Sequence, residues 1–384
     1  MSVVLSSRLF PIVRLRQALA IWLVVYGVFA SVGLADDPTA MLRQDWALAK
    51  IPSGNVWLVP AEFRLRFLLD ELEPLERTIL TLQRNLDQLV ARNRMLWEEN
   101  RVRIEALRRT MAEMETDDPK KRKIEQQIRD LKRQAVAPED LFAVAAVRQR
   151  LIEWTNLRLR VQSIVIEIRA LHAEMKEQYS RLATDATLAD ALGRLGSDHR
   201  LGPMRQGYRN DLKRLDRLER LVATDWLPVF RQSERVRFGG LLEDRIPVLF
   251  SWHESHEPTV LTANMVQAAG VQISEDAPVV VLTLAGRRLT TRRTPIRSLR
   301  FGAIQLKDLS VLVLPDDAED LGAWIGPDAF TDYTLQLDPS RLRLLIASPA
   351  ETADRRSPGM LEETFGRRGG SVGDRPQRIK VARP

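Results

Sequence analysis

A short polar loop carries the residues of this chain whose types could do chemistry. Two histidines, two glutamates and a serine follow one another there: His253, Glu254, Ser255, His256 and Glu257. Imidazole and carboxylate side chains can transfer protons near neutral pH, and both can bind zinc. On a helix, His-Glu-x-x-His places two histidines on one face, but this His-x-x-His motif lies on a loop. A metal site at His253 and His256 is therefore the alternative to a solvated loop whose histidines cover a pocket.

The segments around this loop are typical of a small β domain. An apolar run leads into the loop, and Thr259-Val260-Leu261 follows it. Further along the chain, Trp324-Ile325-Gly326 precedes a short helical segment at Pro327–Phe330. Short apolar segments separated by turn residues predict hairpins. The predicted strands are Val236–Leu242, Ile246–Ser251, Val279–Ala285, Leu289–Thr294, Ile296–Phe301, Ile304–Leu314, Thr334–Leu337 and Leu342–Ile346.

This order of segments resembles the retropepsin-like aspartic peptidases over about Val236–Ile346. In that family a strand delivers an Asp-Thr-Gly loop, a Thr-Val-Leu-like segment follows, and a later apolar-apolar-Gly element packs beside the loop. The resemblance places His253 at the position of the family's aspartate and Ser255 at that of its glycine. It implies a small closed β fold in which Trp324–Gly326 supports the loop.

The resemblance also implies that the catalytic chemistry is lost. The family's mechanism needs two carboxylates that share one proton, so that one acts as a base while the other polarises the carbonyl. The imidazole of His253 differs in shape from a carboxylate, and two imidazolium ions would repel each other. We therefore expect a degenerate domain that binds peptide, and we assign no catalytic residue. The alternative is an active aspartic endopeptidase that uses Glu254 or Glu257 in a remodelled loop.

Basic residues surround the predicted hairpin at Gly286, which corresponds by resemblance to the family's substrate-covering flap. They are Arg287, Arg288, Arg292 and Arg293. Such a finger could grip an anionic polymer, lipid headgroups or an acidic peptide, whereas solvated edge-strand charge is the simpler interpretation. No aromatic residues alternate with these arginines, so we expect no nucleic-acid partner. We expect no cofactor either.

The N-terminal segment predicts export. Three arginines precede the apolar run Ala18–Val32, and small residues then lead to Asp36. This pattern is typical of a secretory signal peptide cleaved after Ala35, and the alternative is a membrane anchor over residues 18–35. We expect the remainder in the periplasm, the cell envelope or outside the cell. The 384 residues contain no cysteine, which excludes disulfides and thiol catalysis, and their net charge of +7 permits anionic partners.

Long amphipathic helices precede the β domain. An apolar residue recurs every three or four positions in the first helix, with Asn93 and Asn100 in the same frame. This heptad pattern predicts a coiled coil, in which buried asparagines fix the register and the number of strands. Asp118-Pro119 predicts a new helix start after a break. Two geometries fit, an antiparallel hairpin within one chain or parallel pairing between chains, and the pattern does not distinguish them. The apolar positions are Leu65, Leu68, Leu72, Leu75, Ile79, Leu82, Leu86 and Leu89.

Together these segments predict an α+β multi-domain protein, with a long α-helical coiled coil followed by a small closed all-β retropepsin-like domain. We expect it to be a scaffold or peptide-binding protein, and a homodimer through the coiled coil or the β domain. The predicted boundaries are 1–35 for the signal peptide, 61–183 for the coiled coil with a break near 116–140, 204–223 for a linking helix, 234–348 for the β domain and 349–384 for a disordered tail.

Overall fold

The computed structural model describes residues 37–51, 54–114, 118–203, 208–252 and 258–347. These residues form two compact units. The smaller unit contains residues 37–64 and 171–203, and the larger contains residues 65–170 and 208–347. The predicted signal peptide and the predicted C-terminal tail lie outside the described residues. Within the described ranges, no helix is both long enough and apolar enough to span a membrane.

The α-helices of the described residues account for most of the chain before the β domain. They are α1 Pro38–Gln44, α2 Pro60–Ala112, α3 Pro119–Gln134, α4 Ala145–Leu182, α5 Ala186–Leu195, α6 Tyr208–Val222 and α7 Ala263–Ala268. The predicted start of α3 is confirmed, because Pro119 occupies its first position and the Asp118 carboxylate accepts a 2.8 Å hydrogen bond from the backbone N–H of Lys120. Short 3-10 helices occur at Pro138–Ala143, Asp316–Leu321, Pro327–Phe330 and Pro339–Arg341.

The strands belong to two separate sheets. The small unit has β1 Ala49–Lys50, β2 Val56–Leu58 and β3 Arg200–Leu201. The larger unit has β4 Trp226–Gln232, β5 Arg235–Leu242, β6 Ile246–Trp252, β7 Val260–Thr262, β8 Val279–Leu284, β9 Arg287–Phe301, β10 Ile304–Leu314, β11 Ala323–Ile325, β12 Thr334–Asp338 and β13 Arg343–Ala347.

The small unit contains α1, α5 and three short strands, which the sequence patterns did not predict. In its sheet, β2 lies between β1 and β3 and carries the fully buried Trp57. The Trp57 indole N–H donates to Nδ1 of His199 at 3.1 Å. Asp185 caps α5 and also accepts a 2.9 Å hydrogen bond from the Trp46 indole. These contacts join positions more than a hundred residues apart, which local periodicity cannot predict.

The end of α3 packs against α2 through the two asparagines that the heptad frame singled out. The Asn100 amide donates to the carbonyl of Leu131 at 3.0 Å. Asn93 both donates to the Val136 carbonyl at 2.8 Å and accepts from the Val136 N–H at 3.2 Å. Leu131 lies in the last turn of α3, where carbonyls have no partner within the helix, so the Asn100 amide satisfies one of them. Both side chains therefore have partners within one chain, and pairing between chains stays a prediction.

The larger sheet has ten strands in the order β12-β13-β4-β5-β6-β11-β7-β10-β9-β8. A further pairing joins Leu241 and Leu242 of β5 to Arg300 and Leu299 of β9. Two features differ from the predicted strands. Strand β4 lies in a stretch assigned no strand, and β9 runs through Pro295, where two strands were predicted. Proline favours an extended residue before it, and Pro295 lies opposite Ser310 of β10, so the strand continues.

Four phenylalanines form the centre of the β core. The Phe301 ring lies 5.5 Å from Phe238, 5.3 Å from Phe250 and 5.5 Å from Phe330, measured between ring centroids. Three of these residues lie on the strands β5, β6 and β9, and the fourth lies in the 3-10 helix that follows β11. Tilted and edge-to-face ring pairs of this kind add to the stability gained by burial. The core therefore holds β6, which leads into the candidate loop, against β5 and β9.

Candidate functional site

Three strands set the position of the two ends of the candidate loop. Strand β6 leads into the loop and ends at Trp252, and β7 begins after it at Val260. Strand β11 lies between them, parallel to β6 and antiparallel to β7. Trp324 is the Cα partner of both Ser251 and Val260. The Trp-Ile-Gly element that the resemblance implied as a support thus contacts both flanks of the loop.

Thr259 is the polar residue that joins these segments. Its buried side chain accepts a hydrogen bond from the Gly326 N–H at 3.3 Å and donates to Oδ1 of Asp328 at 3.0 Å. Its backbone N–H donates to Oδ2 of Asp328 at 3.3 Å, and its carbonyl accepts from the Leu312 N–H at 2.9 Å. The backbone N–H, the carbonyl and the hydroxyl of Thr259 therefore all have hydrogen-bond partners, which lie in β10 and in the segment Gly326–Asp328.

Asp328 accepts hydrogen bonds that connect these segments. Its carboxylate takes hydrogen bonds from the Thr259 hydroxyl and N–H, and Oδ1 also accepts from the N–H of Ala329 at 3.0 Å. Asp328 lies in the first turn of the 3-10 helix Pro327–Phe330, where backbone N–H groups lack helical partners. The carboxylate thus fixes the Gly326 turn against the residue that follows the loop. The sequence contained one signal of this contact, an aspartate after Gly-Pro at a helix start.

The residues of the loop itself lie outside the described residues. This applies to both metal candidates, His253 and His256, and to the proposed alternative carboxylates Glu254 and Glu257, with Ser255 between them. The metal site and the alternative catalytic carboxylates therefore stay predictions. Of the residues assigned to the site, the structure places the supporting set: Trp324, Ile325 and Gly326.

Trp324 is a buried residue that lies between the strands before and after the loop. It is 4% exposed, and its indole N–H donates to the Leu321 carbonyl at 3.0 Å. The guanidinium of Arg235 lies over its ring, 4.1 Å from the centroid. This distance is typical of a cation–π contact. Arg235 lies at the start of β5, one residue before the predicted strand, so the sequence patterns did not assign it to the site.

The predicted hairpin at Gly286 is present as strands β8 and β9, and β8 is the last strand of its sheet. Arg287 of this hairpin pairs with Asp320 at 2.9 Å, and Arg292 donates to the carbonyl of Ser274 at 3.4 Å. The outward-facing Val279 and Val281 of β8 are 58% and 55% exposed. An apolar edge strand of this kind can pair with another extended chain.

Comparison with known proteins finds similarity in this part of the chain. Residues 256–327 match the family model described as aspartyl protease. The matched range begins at His256 and includes β7 and β11 but not His253. One solved structure is described as a retropepsin-like aspartic protease from Rickettsia conorii. It has 14% sequence identity and a TM-score of 0.26, over 32% of this chain and 87% of that one. No curated protein matches the chain. The predicted resemblance to aspartic peptidases is confirmed over residues 256–327, and the helices before β4 lie outside the matched range.

Proposed function

We propose that this chain is a peptide-binding protein whose aspartyl-protease-like domain does not hydrolyse its ligand. One observation carries the proposal. The Thr259–Asp328 network holds the frame of the loop together, while the loop sequence has His253 at the position of the family's aspartate. Segments that still hold the loop in position, without the two carboxylates that would share a proton, support peptide binding rather than catalysis.

The carboxylate of Asp328 is a poor substitute for the missing aspartate. It already accepts three hydrogen bonds from Thr259 and Ala329, and it takes part in joining β7 to the 3-10 helix after β11. A general base must reach the proton that it removes and must be free to accept it. Recruiting Asp328 for catalysis would therefore disrupt the frame that positions the loop.

Strand β8 supports the binding part of the proposal. It is an edge strand, and its outward-facing Val279 and Val281 alternate with the less exposed Val280 and Leu282. An extended peptide that adds a strand to such an edge gains main-chain hydrogen bonds and side-chain contacts at alternate positions. A peptide that pairs with β8 in this way would run along the β8–β9 hairpin. By resemblance, this hairpin corresponds to the flap that covers substrate in the family.

A peptide library tests binding and cleavage together. The full chain is mixed with the library between pH 4 and pH 7, bound peptides are recovered, and all masses are compared with those of the library alone. We expect retained peptides with unchanged masses. Cleavage that disappears in Glu254→Gln or Glu257→Gln would show instead an active peptidase with a relocated carboxylate. A library that is neither bound nor cut would reject the proposed function.

We further propose that the protein is exported and acts as a dimer in the cell envelope, with its long helices as the scaffold. The support for export is the sequence of residues 1–36, and the support for a dimer is the heptad pattern of α2. Mass spectrometry of the mature chain should give an N-terminus at Asp36, and light scattering should give twice the chain mass. An intact N-terminus or a monomer would contradict the respective part.

A further inference from the structure

Two arginines and a serine on adjacent strands form a cationic cluster beside the candidate loop. Arg237 of β5 and Ser251 of β6 are Cα partners, and Ser251 is in turn the partner of Trp324 in β11. Residues that are paired in register point to the same face of a sheet. Arg235 lies two positions before Arg237 on that face, with its guanidinium over the Trp324 ring. We call Arg235, Arg237 and Ser251 the arginine cluster.

Polar groups of this cluster are buried without a partner. Among the described residues, neither Nε of Arg237 nor the hydroxyl of Ser251 has a hydrogen-bond partner, and Ser251 is fully buried. Within the same residues, no carboxylate forms an ion pair with Arg235 or Arg237. An unsatisfied buried donor destabilises the folded chain, so two together at one place indicate a missing partner.

Within the part of the chain that the structure describes, the two positive charges of the cluster also have no counter-charge. Burial lowers the pKa of Arg237, and the neighbouring positive charge of Arg235 lowers it further. A water molecule could accept hydrogen bonds from Arg237 and Ser251, but it would leave two nearby cations without a counter-charge. A carboxylate supplies both the acceptor oxygens and the negative charge, and its planar shape matches the guanidinium group.

We infer that the arginine cluster binds a carboxylate of the peptide ligand, so that the protein selects acidic peptides. The inference rests on the proposed peptide-binding function and gives it a substrate class. The position fits, because Ser251 lies two residues before His253 on the strand that leads into the loop, and Trp324 supports both of the loop's flanks.

Matched peptides test this selectivity. A peptide recovered from the library is made in three forms: with glutamate at its acidic position, with glutamine there, and with an amidated C-terminus. Isothermal titration with the full chain measures each dissociation constant. We expect the glutamate or free-acid form to bind roughly tenfold tighter than its neutral counterpart. Which neutral form loses affinity identifies the carboxylate that is bound.

Variants of the cluster separate this inference from the proposed function. Arg237→Met keeps an unbranched apolar stem but removes the charge, and it should bind the acidic and neutral forms equally. Arg245→Met, an exposed arginine at the far end of the same hairpin, should keep the tenfold preference. Equal binding of acidic and neutral peptides by the unmodified chain would overturn the inference while leaving peptide binding intact. Circular dichroism of Arg237→Met checks its fold, and Arg235→Met gives a second, independent removal of charge.

Discussion

Thr259 shows how a single side chain can join the segments on either side of the candidate loop. It joins the residue after the loop to Gly326 and Asp328, which lie 67 and 69 positions later in the chain. The apolar segments on either side of it were predictable from composition and order alone. The contact was not, because hydrogen-bond partners so far apart depend on the strand order of the whole sheet.

Replacing Thr259 with valine should destabilise the β domain without changing its shape greatly. Valine preserves the branched side chain but removes a hydroxyl that donates to Asp328 and accepts from Gly326. We expect the free energy of unfolding to fall by about 1–3 kcal/mol, since buried partners are left unsatisfied. Urea denaturation measures the change. Thr259→Ser retains the hydroxyl and should lose less, and equal losses in the two variants would show that the methyl group matters instead.

At the scale of elements, a buried glutamate connects α2 to α6. Arg214 Nε donates to Glu76 Oε2 at 2.6 Å, and Arg217 bonds the other carboxylate oxygen. Burial alone would raise the pKa of Glu76, but the hydrogen bonds and charges of Arg214 and Arg217 together lower it below its ordinary value. The ionised form is therefore more favoured in the folded chain than in the unfolded chain.

This shift predicts a pH-dependent loss of stability. A carboxyl group whose folded pKa is lowered adds stability above its unfolded pKa, and the addition disappears as pH falls through the folded value. At pH 7, Glu76→Gln should cost about 1.5–3 kcal/mol, in keeping with lost charge-assisted hydrogen bonds. At a second pH, below the lowered folded pKa of Glu76, the variant and the parent chain should converge, because the parent's Glu76 is then protonated in both states. Unfolding curves at both pH values measure this, and a pH-independent difference would contradict the ion-pair explanation.

Elements differed in how well the sequence predicted them. The start of α3 and the hairpin of β8 and β9 followed from Asp118-Pro119 and from Gly286, where local chemistry decides the conformation. Strand β4 was missed because Pro228 looks like a strand breaker, yet it pairs with Arg343 of β13. The partners of Asn93 and Asn100 also could not be predicted, because a heptad pattern does not indicate which helix packs against its apolar face.

Within the larger unit, α4 packs directly on the β sheet. The buried Arg158 donates to the carbonyls of Val222 and Trp226, each at 3.0 Å, and the Gln162 amide donates to the Gly302 carbonyl at 2.7 Å. Gly239 of β5 allows this close approach. A β-carbon added there would lie 2.5 Å from Cγ2 of Thr155 in α4. The helices and the β domain of this unit therefore share one interface.

Gly239→Ala should weaken that interface. The added methyl group would overlap Thr155 and also Leu159, and overpacking of this kind costs roughly 1–3 kcal/mol. Thermal unfolding measures the loss. In a Thr155→Ser background, which removes Cγ2, the same substitution should cost less. An unchanged penalty in that background would mean that Thr155 is not the neighbour that resists the methyl group.

Peptide binding without cleavage is tested most directly by the mass of a peptide that co-purifies with the chain. A tight-binding peptide is incubated with the full chain for a day at pH 4 and at pH 7, the complex is isolated by gel filtration, and the bound peptide is weighed. We expect the intact mass at both pH values. Two shorter fragments at either pH, whose masses sum to the peptide plus one water, would contradict it.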